Sequence, residues 1–345
     1  MELPSDASAS VTRRHRHVVV PYGASNSTVR TRALHWIERC APAVVETVAV
    51  HGPGFGGGRI GRGSDVLLLR NARRLTRGQV EATLLREARM GVYDLDDGLP
   101  WDDGKLPGLG RWWKRPWPRS LVASRAAEAA DRVIVGNRVL ADWAIGHCDD
   151  VRVVPTCVEP SDYRQRTSWA IEKAAPIIGW IGSPATQGYL DDIASALDAV
   201  HRRCGARVEV IGASGGVLGG RDFVDSKPWN ELSSTHRIAD WDVGIMPLRD
   251  GPYERAKCGY KLLQYAASGV PAVGSPVGVN RELLDTGAGL APTTTDEWAD
   301  ALLDVLAQSE SERSAMGHAG FELARRYSYD EWQEAWTDAV GWSST

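Results

Sequence analysis

The strongest constraint on the fold is an alternation of short apolar segments with amphipathic ones. In the first half, HVVVPYG, SDVLLLRN and DRVIVGN have the length and aliphatic content of buried strands. Between such strands, apolar residues recur at helical spacing, as they do at Ala33, Trp36, Ile37 and Cys40. This alternation is typical of a parallel, doubly wound α/β sheet.

The alternation stops at the polar stretch EPSDYRQRTSWAIEKAAP and starts again at IIGWIGS, which divides the chain into two halves. We predict two Rossmann-like domains that face each other across a cleft, the first over residues 1–165 and the second over 166–327. Open α/β sheets bind ligands beyond the carboxyl ends of their strands. The loops at those ends should therefore line the cleft from both sides.

Composition limits the classes of function. The net charge of −4 argues against a general nucleic-acid binder. No apolar run approaches the length of a membrane span, which is about 18 residues. The N-terminus is polar and then basic, and it lacks the apolar stretch of a signal peptide. The five cysteines include no C-x-x-C pair, which favours free thiols over disulfides or a zinc site. We expect a cytoplasmic protein without a nucleic-acid partner.

A glycine-rich stretch, HGPGFGGGRIGRG, formally contains G-x-G-x-x-G at Gly52, Gly54 and Gly57. The dinucleotide-binding fingerprint opens a helix directly after the first strand. Here the motif follows the second strand, and more glycines come after it, which disfavours a helix. We therefore interpret this stretch as a loop and not as a phosphate-binding motif.

A second stretch, residues 239–283, has more specific features. A buried strand reaches Pro247, and a helix begins near Gly259 and ends at SGVP. A helix N-terminus offers unpaired N–H groups and a positive dipole end, which suit a diphosphate. Lys257 and Lys261 can neutralise such a group, and Gln264 can bind a ribose hydroxyl. A solvated lysine pair on a surface helix is the alternative.

The sequence YAASGVPAVGSPVGVNREL resembles the end of the donor-site signature of retaining GT-B glycosyltransferases, the family that includes sucrose and glycogen synthases. The overlapping KCGYKLLQYAASG looks like a bacterial branch in which K-x3-K-x2-Q replaces two conserved glutamates. Gln264 then stands at the second glutamate position and Ala256 at the first. The resemblance implies that Lys261 contacts the donor phosphate as a catalytic group and that Gln264 contacts the ribose.

Other segments resemble the same family. IIGWIGSPATQGYL is similar to the strand that opens the donor domain, which implies that Gly182, Ser183 and Thr186 lie near the diphosphate. SNSTVRTRAL lies where the first loop of the family approaches donor and acceptor, which makes Arg30 and Arg32 acceptor-side candidates. An exposed helix charge is the simpler interpretation of either arginine. The implied fold is GT-B, with a C-terminal helix over 328–345 that crosses back to the first domain.

The segment GVYDLDDGLP places Asp94, Asp96 and Asp97 together at a strand end. Metal binding by D-x-D pairs belongs to the other major glycosyltransferase fold, so we expect no metal here. Strand order places Asp94 where many relatives carry a histidine close to the reacting sugar. This implies that Asp94 binds an acceptor hydroxyl or stabilises positive charge on the sugar, as a catalytic residue. Asp97 is a further acceptor-side candidate, although Asp96 or Asp97 also suits capping of the next turn.

The resemblance implies metal-independent transfer of a sugar from a UDP- or GDP-linked donor to an unidentified acceptor, with retention and without a cofactor. A degenerate GT-B protein that binds nucleotide or scaffolds a pathway, and a nucleotide-sugar epimerase, are the alternatives. RWWKRPWPR, residues 111–119, suits a loop that binds acceptor or membrane interface, and it also suits tryptophans packed under a loop. The expected location is the cytosol, free or peripheral at the inner face of the membrane.

Overall fold

The strands form two six-stranded parallel sheets within the part of the chain that the structure, a computed structural model, describes. That part comprises residues 16–20, 26–40, 46–49, 62–71, 76–102, 118–171 and 175–342. The first sheet contains β1 (Arg16–Val20), β2 (Glu46–Ala49), β3 (Asp65–Leu69), β4 (Met90–Leu95), β5 (Arg132–Val135) and β6 (Val151–Val153), in the order β2-β1-β3-β4-β5-β6. The second contains β7 (Ile177–Ile181), β8 (Arg207–Ile211), β9 (Val224–Lys227), β10 (Val243–Met246), β11 (Ala272–Gly274) and β12 (Gly289–Leu290), in the order β12-β11-β10-β7-β8-β9.

Helices cover both faces of the first sheet, which is why its central strands are buried along nearly their whole length. All five residues of β3 are buried. The segment after β1 is one helical stretch with a π-helical turn at its centre. The helices of this domain are α1 (Ser27–Val29), the π-helix Arg30–Leu34, α2 (His35–Cys40), α3 (Gln79–Glu87), α4 (Arg119–Ala129) and α5 (Arg138–Ala144).

The second domain repeats the arrangement, with apolar clusters on the two faces of its sheet. Two of its long helices begin at reciprocal capping boxes, Thr294 with Glu297 and Ser309 with Glu312. Its helices are α6 (Gly188–Asp191), α7 (Ala194–Cys204), α8 (Glu231–Ile238), α9 (Pro252–Arg255), α10 (Tyr260–Ala267), α11 (Asn280–Leu284), α12 (Thr295–Ala307) and α13 (Glu310–Arg326).

The last helix, α14 (Tyr329–Val340), packs on the first domain although it follows the second in sequence. Its Trp336 is 1% exposed and stacks on Trp36 of α2, with ring centroids 5.3 Å apart. Tyr329 and Val340 belong to the same apolar cluster as Val18 of β1. The chain therefore returns to its first domain at its C-terminal end.

The predicted pair of facing Rossmann-like domains is confirmed. The edge strand β9 is not among the predicted strands, because VDSK has none of the apolar pattern of a buried strand. No helix of the described residues has the length and apolar character to cross a bilayer. The glycine-rich stretch with Gly52, Gly54 and Gly57, which we predicted as a loop, and most of RWWKRPWPR lie outside the described residues.

Candidate functional site

The carboxyl ends of the two sheets face each other, and side chains bond directly across the gap. Asp97, just beyond β4, accepts hydrogen bonds from Lys257 Nζ at 3.2 Å and from the Tyr253 hydroxyl at 3.1 Å. Asn137, just beyond β5, donates from Nδ2 to the Ala256 carbonyl at 2.7 Å. Loops at the strand ends of both domains therefore form one site, as expected for open α/β sheets.

Asp97 is the most highly connected acid in this site. Besides Lys257 and Tyr253, it pairs with Arg70 and accepts the backbone N–H of Gly98 at 2.9 Å. Burial raises the pKa of its carboxyl, but Lys257 and Arg70 outweigh that effect, so the pKa lies well below its usual range. Asp97 is therefore a permanent carboxylate that bridges the two domains.

Arg70 holds Asp97 from the side of the first domain. Its backbone is left-handed, with φ of 56°, a conformation that is uncommon for residues other than glycine and clusters at functional sites. The guanidinium also reaches Thr28 Oγ1 at 3.3 Å and lies 3.5 Å from Asp96. Arg70 thus joins the ends of β3 and β4 to the helix after β1. Nothing in the sequence pattern singles it out.

Lys261 lies in the first turn of α10 and differs from Lys257 in having no acidic partner. Within the described residues it makes no ion pair or hydrogen bond, and its ammonium lies 5.4 Å from the Trp180 ring centroid. Burial and the neighbouring Lys257 lower its pKa to about 8, while Asp97 acts in the opposite direction. A partly buried cation without a counter-ion, at the start of a helix, is suited to bind an anion.

The predicted phosphate loop, which contains Gly182, Ser183 and Thr186, lies beside Lys261 and contacts the same tryptophan, Trp180. Gly182 has no room for a side chain, since a Cβ would lie 2.3 Å from the Trp180 ring and 3.0 Å from Thr186 Oγ1. Thr186 closes the loop by donating its backbone N–H and its hydroxyl to the Ser183 carbonyl, at 2.9 and 3.1 Å. The structure therefore brings Gly182, Ser183, Thr186 and Lys261 together around Trp180.

The side chains of Gln264 and Lys257 both make hydrogen bonds to other side chains of the protein. Gln264 is 9% exposed and donates from Nε2 to the Tyr163 hydroxyl at 3.1 Å. The Lys257 side chain is 15% exposed and pairs with Asp97, so it is not a solvated surface lysine. The predicted contacts of Gln264 with ribose and of Lys257 with phosphate stay predictions.

Arg32 and Asp94 form a pair in the interior of the first domain. Their side chains are 0% and 1% exposed, and Arg32 donates to both carboxylate oxygens, at 2.9 and 2.5 Å. Arg32 also donates to the carbonyls of Val154 and Pro155, at 2.7 and 2.9 Å. The interpretation of Arg32 as an exposed helix charge is wrong, because its side chain is 0% exposed and pairs with the buried Asp94. In this structure neither side chain of the pair is open to a substrate.

Arg30 projects to the other domain from the same π-helical turn. Its guanidinium lies 4.7 Å from the ring centroid of Trp229, which follows β9. Trp229 is 38% exposed. π-Helical turns occur frequently at functional sites, and this one separates a buried arginine from one that spans the cleft.

The described residues contain no group of three or more His, Cys, Asp or Glu arranged to hold a metal ion. Asp94 pairs with Arg32, whereas Asp96 and Asp97 share Arg70, and Asp97 also pairs with Lys257. These pairs explain how three acids can occur so close together at a strand end.

Comparison with known proteins identifies relatives of the second domain and of the fold. Residues 175–308 match the family model of group 1 glycosyl transferases. No curated protein matches the chain. The crystal structure of WaaG, a glycosyltransferase involved in lipopolysaccharide biosynthesis, is 14% identical with a TM-score of 0.63, covering 94% of this chain and 99% of that one.

Two further structures were solved with ligands. TarM from S. aureus, as a variant in complex with fondaparinux, alpha-GlcNAc-glycerol and UDP, is 10% identical over 80% of this chain, with a TM-score of 0.58. The match covers 55% of the TarM chain. A trehalose-6-phosphate protein from E. coli bound with UDP-2-fluoro glucose is 14% identical over 82% of this chain and 74% of its own, also with a TM-score of 0.58. The chain therefore has the GT-B fold, and its residues 175–308 match the group 1 glycosyl transferase family.

Proposed function

We propose that this protein is a glycosyltransferase that moves a sugar from a nucleoside-diphosphate sugar to an acceptor, with retention and without a metal. The observation that carries the proposal is Lys261, whose ammonium has no ion-pair partner among the described residues and lies at the N-terminus of α10, beside the loop of Gly182, Ser183 and Thr186. The family match of residues 175–308, within which Lys261 lies, supports it.

The reaction requires that the leaving diphosphate be stabilised as it gains negative charge. A positioned cation and a helix N-terminus lower that barrier most when they already point at the developing charge. Lys261 and the first turn of α10 meet this requirement together. Lys257 can add a second charge if the donor phosphate displaces Asp97 from it.

The acceptor proton needs a base, and Asp97 is unsuited to that task. Its pKa is low and its oxygens already accept bonds from Arg70, Lys257 and Tyr253. A leaving phosphate oxygen that takes the proton on the same face of the sugar avoids the need for a protein base. That route also leads to retention of the anomeric configuration.

The remaining predicted residues receive positioning or acceptor roles in this proposal. Arg32 and Asp94 hold the helix after β1 against the ends of β4 and β6. Arg30, which spans the cleft to Trp229, is the acceptor-side candidate that lies between the two domains. Ser183 and Gly182 supply backbone groups at the diphosphate.

Calorimetric titration with UDP, GDP and their sugars tests the proposal. We expect dissociation constants in the micromolar range for one nucleoside diphosphate, since enzymes commonly have KM values between about 1 μM and 1 mM. UDP is the first probe because two structural relatives were solved with UDP or a UDP-sugar. Failure of every nucleotide to bind would exclude the proposal. Binding without turnover would favour the scaffold alternative, and an epimerised sugar in the product would favour the epimerase.

The titration of Lys261 predicts how nucleotide binding depends on pH. The pKa of about 8 means that the ammonium is charged below this pH and neutral above it. The dissociation constant for the nucleoside diphosphate should therefore rise between pH 8 and pH 9.5, by up to about tenfold per pH unit. Isothermal titration at several pH values measures the change. Lys261→Arg, whose charge persists over this range, should abolish the rise; an identical pH profile in that variant would exclude Lys261 as its source.

A further inference from the structure

The two domains are closely packed along one short segment of the second domain, residues 253–259. Gly98 of the first domain has no space for a Cβ, which would lie 2.4 Å from the Tyr253 carbonyl oxygen. Gly136 is similarly restricted, because its Cβ would lie 2.3 Å from Cys258 Sγ. These two glycines follow neighbouring strands, β4 and β5. The first domain therefore provides a fitted surface for the 253–259 segment.

This segment determines where both lysines of the proposed phosphate site lie. Lys257 belongs to it, and α10, which carries Lys261, begins directly after Gly259. Gly259 has a left-handed backbone with φ of 66°, and a Cβ there would lie 2.5 Å from Leu283, so the chain direction is fixed at that point. A shift of the segment would consequently move the start of α10.

Asn137 makes a direct hydrogen bond to this segment and is 3% exposed. Its Oδ1 accepts the Leu140 N–H at 3.0 Å and so caps α5 in the first domain. Its Nδ2 donates to the Ala256 carbonyl at 2.7 Å, with Cys258 Sγ at 3.4 Å. Each half of one amide group thus bonds to a different domain.

We propose that Asn137 is a positioning residue that sets the phosphate-binding lysines from the opposite domain. This inference rests on the proposed function. It makes the affinity for the nucleoside diphosphate depend on a first-domain residue that does not touch the nucleotide. When the domains separate, Ala256 loses its partner and the segment is free to move. Donor affinity is therefore coupled to domain closure.

Asn137→Asp distinguishes the two hydrogen bonds of the amide group, because it keeps the oxygen that caps α5 and removes the N–H₂ that donates to Ala256. Aspartate caps helices as well as asparagine does, so α5 should keep its stability. The carboxylate cannot donate to the Ala256 carbonyl and repels it. We expect the dissociation constant for UDP, or for GDP if the wild type prefers it, to rise about tenfold, the equivalent of about one lost hydrogen bond with a buried unpaired carbonyl.

The outcomes distinguish this inference from the function on which it rests. A wild-type protein that binds neither UDP nor GDP would refute the proposed function. A wild type that binds, together with an Asn137→Asp variant of equal affinity, would refute the positioning role alone. An Asn137→Asp variant whose loss of affinity is fully explained by a lower urea midpoint would also overturn the positioning role.

A size exchange at Gly136 and Cys258 provides a second test that does not involve α5. Gly136→Ala directs a methyl group at Cys258 Sγ and should push the segment away, which raises the dissociation constant by about tenfold or more. Without Sγ, the nearest atoms to that methyl are Asp96 Cα at 3.5 Å and Cys258 Cβ at 3.6 Å, which are ordinary contacts. Gly136→Ala with Cys258→Ala should therefore bind UDP as Cys258→Ala alone does. A double variant as weak as Gly136→Ala would contradict this.

Discussion

Lys261→Met should reduce donor turnover by about 100-fold or more, the cost typical of removing one preorganised group that stabilises developing negative charge. Methionine keeps the length and apolar stem of lysine, so the packing on Trp180 is retained while the charge is lost. Because no described carboxylate pairs with Lys261, its removal leaves no unpaired acid behind. The loss should therefore appear in catalysis and nucleotide affinity with little change in stability.

Donor turnover can be measured without knowing the acceptor, as release of nucleoside diphosphate from the nucleotide sugar. Lys257→Met is the matched control, since it removes a lysine four residues away that Asp97 already neutralises. We expect a smaller loss of turnover in that variant, and some loss of stability because Asp97 loses a partner. Turnover of Lys261→Met within threefold of wild type would contradict the assigned role of Lys261.

The fold could be predicted because its signal is local. Buried parallel strands such as β3 and β5 contain continuous apolar runs, and the helices between the strands have their own periodicity. The positions of Gly182 and Thr186 at a strand end and of Lys261 at a helix start were also predictable, since these ends lie within a recognisable motif, whereas their contacts with phosphate stay predictions. By contrast, β9 lies at a sheet edge and has a polar sequence, so its pairing with β8 depends on the neighbouring strand and not on its own pattern.

The long-range side-chain contacts within and between the domains could not be predicted, because each joins residues far apart in sequence. Asn137 has the sequence signature of an ordinary helix cap, and its second bond, to Ala256, spans 119 residues. Arg32 resembles a surface helix charge until the fold places Asp94 beside it. The small size required at Gly136 likewise depends on Cys258. The sequence therefore identifies groups that can bind a ligand, whereas the structure identifies what holds them.

The buried pair of Arg32 and Asp94 leads to the largest expected change in stability. Asp94→Asn removes the negative charge. The fully buried guanidinium of Arg32 then faces either the N–H₂ or the neutral oxygen of the asparagine amide. Breaking a buried ion pair by changing one partner costs about 3–5 kcal/mol, because the other charge is left uncompensated. The free energy of unfolding of the first domain should fall by that amount, as measured by urea denaturation followed by tryptophan fluorescence.

A double variant separates charge compensation from substrate contact at Asp94. Arg32→Met with Asp94→Leu replaces both charges by apolar groups, which frequently regains much of the lost stability in buried sites. The recovery here should be partial, because the carbonyls of Val154 and Pro155 lose the guanidinium that donates to them.

If Asp94 instead binds an acceptor hydroxyl, Asp94→Asn should lower transfer to that acceptor while leaving the urea midpoint unchanged. A stable but inactive Asp94→Asn protein would thus overturn the positioning role and favour direct contact with the sugar or acceptor.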